Sequence, residues 1–214
     1  MLLNIEGLDG AGKDSAINNV IIPRLEAAGL PVDKVSGTGG TPMSLAIREV
    51  NISHWDNEPV SGDTELLLMY ASRIQTFTAR LLPFLKENPN GIIIMNRSWW
   101  SSYAYQVVGH GASRALFEQH VEHLERLIPT TRNLFMTVSP EVGLQRAEKR
   151  AALDRLESEG PAFWEKTRRA YDEMITRHQD TTTVIDANGT FDDVNKQLEP
   201  WVDSIIKLAR ARNF

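Results

Sequence analysis

Leu2-Leu3-Asn4-Ile5-Glu6, followed without interruption by Gly7-Leu8-Asp9-Gly10-Ala11-Gly12-Lys13-Asp14-Ser15, decides how the chain reads. The first five residues are a short apolar run of strand type. A helical pattern extends over residues 15–28, with Gly29 as its stop. Between them lies Gly-x4-Gly-Lys, the spacing of a phosphate-binding loop. Glycines let successive backbone N–H groups turn toward phosphate oxygens, and the start of the helix adds a positive end. Lys13 supplies a point charge for the terminal phosphates. The loop residues Gly7, Gly10, Ala11, Gly12, Lys13, Asp14 and Ser15 are therefore expected to hold a polyphosphate.

Working outward, four more strands are expected over 31–36, 92–95, 134–138 and 182–185, the third following the Asn88-Pro-Asn-Gly91 turn. They read as apolar on both faces, as a buried parallel sheet requires. Helical patterns cover 63–87, 112–127, 141–152, 162–179 and 191–211, and Pro23 and Pro83 predict a kink or break where they fall inside such patterns. Leu66–Tyr70 is apolar nearly all round, which predicts burial in the core or in an oligomer interface. Alternation of strand and helix gives a doubly wound α/β fold, a five-stranded parallel sheet with helices on both faces.

The 214 residues suit a single domain, with enough chain to bury a real core. With no cysteine, disulfides, thiolate metal sites and cysteine nucleophiles are excluded. Lys and Arg number 23 against 28 Asp and Glu, a net charge of −5, which argues against a general nucleic-acid surface. Anion binding must then come from locally placed basic groups. No apolar run approaches the ~20 residues of a membrane span. The start of the chain lacks the basic region of a signal peptide, so a cytoplasmic protein bound neither to nucleic acid nor to membrane is expected.

One loop position is unusual. The residue after the lysine is ordinarily Ser or Thr, whose hydroxyl meets Mg2+; here it is Asp14. One reading makes Asp14 a helix-capping carboxylate favoured by the helix dipole. The other makes it a Mg2+ ligand, direct or through water, because a carboxylate facing a polyphosphate needs a cation between them. At the end of the third strand, where an Asp commonly helps to hold that metal, stands Asn96. The pair of departures suggests that the metal-site carboxylate has moved from strand end to loop.

Taken with Asn96-Arg97, Ser101-Ser-Tyr-Ala-Tyr-Gln106, Ser139-Pro-Glu-Val-Gly-Leu-Gln-Arg146, Leu153-Asp-Arg155-Leu-Glu157 and Val184-Ile-Asp-Ala187, the loop resembles that of the thymidylate kinase family, and the resemblance runs over nearly the whole chain. It implies the phosphate-loop kinase fold with a short helical lid over about 146–160. It also implies transfer of the ATP γ-phosphoryl group to dTMP with Mg2+, and a homodimer formed through long helices. The acceptor phosphate is already a nucleophile, so no general base is needed, in keeping with the absence of a His-Asp-Ser arrangement among the five histidines.

Residue roles follow from the same resemblance. Arg97 and Arg48 match arginines on the acceptor phosphate, and Asp9 the carboxylate that reaches the sugar 3′-hydroxyl. Tyr105 matches the aromatic that crowds the 2′ position, while Arg73 and Ser102 match contacts to the base. In the lid, Arg155 matches the arginine that neutralises transition-state charge and Arg150 one near adenine. Lys13, Arg97 and Arg155 are thus the catalytic candidates. Residues of these types also have bland explanations: a turn-forming Asp9, a core Tyr105, a solvated Arg48 and a solvated basic lid helix.

Three stretches depart from the family pattern. Arg-Glu-Pro-Gly-Gly-Thr becomes Ser36-Gly-Thr-Gly-Gly-Thr41, whose glycines predict a more pliable loop. The base-stacking aromatic four residues before Arg73 becomes Met69, with Tyr70 turned about 100° away on the helix. Trp99-Trp100 beside Arg97 reads as core, rim or pocket. The alternatives these departures raise are a kinase with shifted base choice, toward dUMP or a 5-substituted dUMP, and a nucleotide-binding protein with weak turnover.

Overall fold

Five strands form one wholly parallel sheet in the order β2-β3-β1-β4-β5: β1 Leu2–Glu6, β2 Val32–Ser36, β3 Ile92–Asn96, β4 Thr130–Thr137 and β5 Thr182–Asp186. The computed structural model describes residues 1–55, 58–139, 142–143, 146 and 159–212. The helix expected over 141–152 and most of the lid, with Arg150 and Arg155, lie outside the described residues.

The pleat explains why the inner strands carry apolar residues on both faces. Leu3, Ile5, Ile92 and Ile94 face the helix that follows the phosphate loop and the C-terminal helix, packing on Ile17, Ile21, Leu198 and Val202. Leu2, Ile93 and Met95 point the other way, onto Phe77, Leu81 and Leu124. Each fully buried isoleucine contributes about 2 kcal/mol. β5 does not follow that expectation. As the edge strand it has water on one side, Thr183 and Val184 are exposed, and only Ile185 is buried.

Helix α1 begins at Lys13–Ala16, widens to a π-type turn over Ile17–Ile21 and resumes as Ile22–Ala27. Helix α3 does the same, with Gly62–Thr76, a wide turn at Phe77–Leu81, then Leu82–Glu87. Both wide turns contain the carbonyl four residues before a proline, Asn19 before Pro23 and Ala79 before Pro83. That carbonyl would meet the pyrrolidine ring in a regular helix, and the extra residue in the turn moves it aside. The prolines thus widen the helices rather than break them. α5 is Arg114–Leu127, α6 Pro161–Arg177 and α7 Phe191–Ala211, which carries Pro200 on an exposed face. No described helix is long and apolar enough to cross a membrane.

Two helices were not among the expected elements. α2, Pro42–Ile52, is started by Thr41, whose hydroxyl accepts from Ser44 N at 3.2 Å while Ser44 Oγ accepts from Thr41 N at 2.7 Å. α4 comprises Trp99–Ser102 and a wide turn over Tyr103–Gly109, and is capped by Ser98 Oγ, which accepts from Trp100 N. Leu66 is buried as expected, but Leu67 is 47% exposed on the outer side of α3.

His110, at the end of α4, joins α3 to the start of α6. Its Nδ1 meets Glu65 at 2.8 Å and its Nε2 meets Glu159 at 3.1 Å. The hydrogen bond to Glu65 and the two carboxylates raise its pKa above the usual 6.5 despite the opposing effect of burial. The folded protein therefore holds this proton more tightly than the unfolded chain. The stabilisation is complete below pH 6.5 and is lost as pH rises through the elevated folded-state value. Urea midpoints measured from pH 6 to 9 should decline across that window, and His110→Gln should flatten this part of the profile.

Candidate active site

The chain leaves β3 and crosses to β4 on the far side of β1, which opens a crevice at the carboxyl ends of β1 and β3. The phosphate loop, the Asn96-Arg97 turn and the Ser36–Thr41 loop all empty into it. Gly10 holds the phosphate loop at φ +79, and a Cβ there would stand 2.2 Å from Gly143 O. Gly7, Gly10 and Ala11 are buried in the loop, while Gly12, Asp14 and Ser15 lie exposed at its mouth. Lys13 is buried, and its Nζ donates to Gly7 O and Leu8 O at 2.9 Å each. The P-loop lysine is thus held back on the loop's own carbonyls.

Arg97 is the one described non-glycine residue with positive φ, +68. This left-handed conformation costs on the order of 1–3 kcal/mol and marks a backbone held in place by its surroundings. Its own N–H donates to Ile5 O, and the next N–H, of Ser98, donates to the buried carboxylate of Glu6 at 2.5 Å. Glu6 accepts as well from Ser98 Oγ at 2.8 Å and Ser101 Oγ at 3.0 Å, with Tyr171 O–H at 3.4 Å. The side chain so aimed reaches Asp9, with Nη2 at 2.5 Å from Oδ1, while Nη1 lies near Ser101, Tyr105 and Tyr171. Burial disfavours the Arg97 charge, but Asp9, the two phenols and Glu6 outweigh it and its pKa stands well above the ordinary value. Burial keeps Tyr105 and Tyr171 protonated, and the Glu6 charge adds to that effect.

Asp9, Arg48, Met69, Arg73, Arg97, Ser102 and Tyr105, expected from distant parts of the chain, line one pocket with Ser36, Gly37, Thr38, Ser101, Gln106 and Trp164. Arg73 is 4% exposed and donates to Ser102 Oγ at 2.8 Å and Ser98 O at 2.9 Å. Its Nε has no hydrogen-bond partner among the described residues. Burial lowers its pKa to about 10, so it remains charged at neutral pH. Met69 faces the pocket, whereas Tyr70 turns away to stack on His120 at 3.9 Å and to bond His123, as the helical rotation predicts.

The Ser36–Thr41 loop, whose glycines predict pliability, is tied to its surroundings at several points. A Cβ on Gly37 would come within 1.7 Å of Arg97 O, and Gly37 N donates to Asn96 O at 2.8 Å. Arg80 further ties Gly40 O at 2.9 Å. Close approach, not flexibility, is what requires glycine here. Trp100 is fully buried core; Trp99 is nearly so and donates to Glu125 at 3.1 Å, away from the pocket. Sequence reasoning passed over Glu6, Ser98 and Tyr171 as site residues. A charged residue closing an otherwise apolar strand was the one available signal for Glu6.

Asp14 is half exposed. Burial works to raise its pKa, but a hydrogen bond and ion pair from Lys34, the charge of Lys13 and a hydrogen bond from Asn96 hold it below the usual value. The two departures, Asp14 and Asn96, are therefore in contact. Asn96 Oδ1 is buried without a partner among the described residues, and a half-turn of the amide would bring it to the Asp14 side. A hard carboxylate beside an unsatisfied amide oxygen, next to a phosphate loop, suits Mg2+ with phosphate completing the shell. Arg146 donates to Ala187 O at 2.7 Å and Gly189 O at 3.0 Å, and lies 3.4 Å from Gly10 O, tying the phosphate loop to the β5–α7 turn.

A family model described as thymidylate kinase matches residues 5–198. A thymidylate kinase of Alteromonas mediterranea is 38% identical over 194 residues, 91% of this chain and 85% of that one. One from Idiomarina loihiensis is 37% identical over 198 residues, 91% of this chain and 92% of that one. The crystal structure of thymidylate kinase from Ehrlichia chaffeensis superposes with a TM-score of 0.70 over 95% of this chain and 98% of that one; at 19% identity, this likeness speaks for the fold alone. Sequence similarity that runs through the phosphate loop, the Arg97 turn and on into α7 makes the chain a member of the thymidylate kinase family, ATP-using phosphotransferases.

Proposed function

We propose that Lys13, Arg97 and Arg155 carry the reaction that family membership assigns to the chain, transfer of the γ-phosphoryl group of ATP to dTMP. The observation that supports this most is that seven side chains named from the sequence line one pocket beside the phosphate loop. An acceptor phosphate oxygen attacks the γ-phosphorus, the bond to the β–γ bridging oxygen breaks, and ADP leaves. The acceptor is already anionic, so the protein's task is positioning and charge neutralisation. Arg97 and Arg48 grip the acceptor phosphate and set it in line, and Lys13 leaves the loop carbonyls for the transferred group. Asp9, released by Arg97, takes the 3′-hydroxyl. Tyr105, kept as a neutral phenol, packs against the 2′ position.

Arg73 is fixed by Ser98 and Ser102, which leaves Nε to donate to a base carbonyl, and Met69 covers the base face with a polarizable thioether. Gly7, Gly10, Ala11, Gly12 and Ser15 surround the ATP phosphates, and Arg150 lies near adenine. Mg2+ held by Asp14, with Asn96 beside it, would screen the polyphosphate charge. The exposed apolar side chains Met43, Leu45 and Val50 of α2 and Leu67 of α3 support a homodimer through these helices, which sedimentation equilibrium tests.

The deciding assay is ADP release from Mg·ATP with dTMP, dUMP, dCMP, dGMP and UMP as acceptors. dTMP should give the highest kcat/KM and UMP the lowest. Turnover with none of them would sink the kinase reading.

A further inference from the structure

Lys34 belongs to β2, yet its ammonium lies at the phosphate loop. Nζ donates to Asp14 Oδ1 at 2.6 Å and to Asn18 Oδ1, one turn further along α1, at 3.0 Å. The strand register supports this reach. Lys34 pairs with Ile94 in the sheet, and the alternation of the pleat sends Lys34 to the α1 side while Asp33 points the opposite way to an ion pair with Arg80. Asp14 meets the Lys34 ammonium and the Asn96 amide and lies within the field of Lys13. Its carboxylate is also the group proposed above to face the divalent cation. An ammonium and a divalent cation compete for one partly exposed carboxylate, and an exposed ion pair of this kind is weak enough to exchange.

We propose that Lys34 is a tethered counter-ion that occupies Asp14 in the metal-free protein and must leave it for the divalent cation to bind, so that Lys34 sets how much metal the nucleotide complex requires. The inference rests on the phosphate-loop reading of Gly7–Ser15 and adds to it a residue from outside the loop. No proton moves: the carboxylate exchanges one cation for another, and the ammonium passes to Asn18 and solvent or to a phosphate oxygen. Metal binding must break the Lys34–Asp14 pair, and a pair this exposed corresponds to about fivefold at most in metal affinity.

The test is Mn2+ binding to the complex of the full chain with ADP, followed by the electron paramagnetic resonance signal of free Mn2+. ADP binding in metal-free buffer is measured separately by calorimetry. Lys34→Met should tighten Mn2+ about fivefold, and Lys34→Arg, which keeps the charge, should stay near wild type. In an Asp14→Ser background, where the tether has no carboxylate to hold, Lys34→Met should change Mn2+ affinity by no more than about twofold. An unchanged or weaker Mn2+ affinity in Lys34→Met, or an equal tightening persisting in Asp14→Ser, overturns the proposal while leaving the phosphate-loop reading intact. A wild-type chain that binds no ADP overturns both.

Discussion

Arg97→Ala should lower kcat/KM for dTMP by about 10³-fold, and most of the loss should appear in kcat. The size follows from what the residue is arranged to do. Its guanidinium is partly buried, held by Asp9 at one end and by three hydroxyl groups at the other, and its backbone is kept at φ +68 by contacts from β1. When the acceptor phosphate arrives the donor has only its Asp9 partner to exchange, and charge-assisted bonds from a fixed fork are about twice as strong as neutral ones. Lysine at this position offers a point charge on a flexible stem, so Arg97→Lys should recover no more than about tenfold of the loss. Steady-state rates with dTMP varied at saturating Mg·ATP check both variants. A kcat within threefold of wild type for Arg97→Ala would show that this arginine positions no reacting group.

The fold was legible where a local signal and a buried position coincide. Leu2–Glu6 and Ile92–Met95 read as strands because both faces are covered, so apolar residues dominate them, with Asn4 paired to Asn133 in the sheet interior. Where one face meets water, as in Thr182–Asp186, the apolar pattern is lost and the strand is an exposed edge. α2 was missed because a loop-like run of Gly, Ser and Thr precedes it, and α4 because it follows β3 after only Arg97 and Ser98. The start signals, Thr41-Pro42 with Ser44 and Ser98 ahead of Trp99-Trp100, are short, and α4 has no regular helical period because it widens after one turn.

The substrate pocket was legible only in part, for a different reason. Helical spacing puts Met69 and Arg73 on one face of α3 and sets Tyr70 off it. Nothing in the spacing brings Asp9, Arg48, Arg73 and Tyr105 together, since their meeting depends on the strand order and on the crossing from β3 to β4. Family resemblance supplied that set. It did not supply Lys34, whose partners Asp14 and Asn18 lie 20 and 16 residues away on another element, nor the support beneath Arg97, whose parts are more than 70 residues apart.

That support is where the largest effect on stability is expected. Glu6, at the end of β1, is fully buried, and residues from the β3 turn, α4 and α6 meet on its two oxygens. The buried Arg73 and the partly buried Arg97 both feel its charge. Glu6→Ala removes the acceptor for a backbone N–H and two serine hydroxyls at once and deprives both guanidiniums of a neighbouring negative charge. Breaking a buried charge cluster from one side costs about 3–5 kcal/mol, which for a chain of this size lowers Tm by about 10 °C. Glu6→Gln keeps the shape but sets an NH2 group against donors, and a buried group left without its partner costs about 1–3 kcal/mol. Urea unfolding monitored by tryptophan fluorescence should rank wild type above Glu6→Gln above Glu6→Ala. Activity should separate support from mere stability. At a temperature where Glu6→Gln is fully folded, its kcat should fall by at least about tenfold with KM for ATP unchanged, because Ser98 N no longer fixes the turn that aims Arg97. A folded Glu6→Gln with wild-type kcat would mean that Arg97 keeps its aim without the carboxylate, and that the cluster serves stability alone.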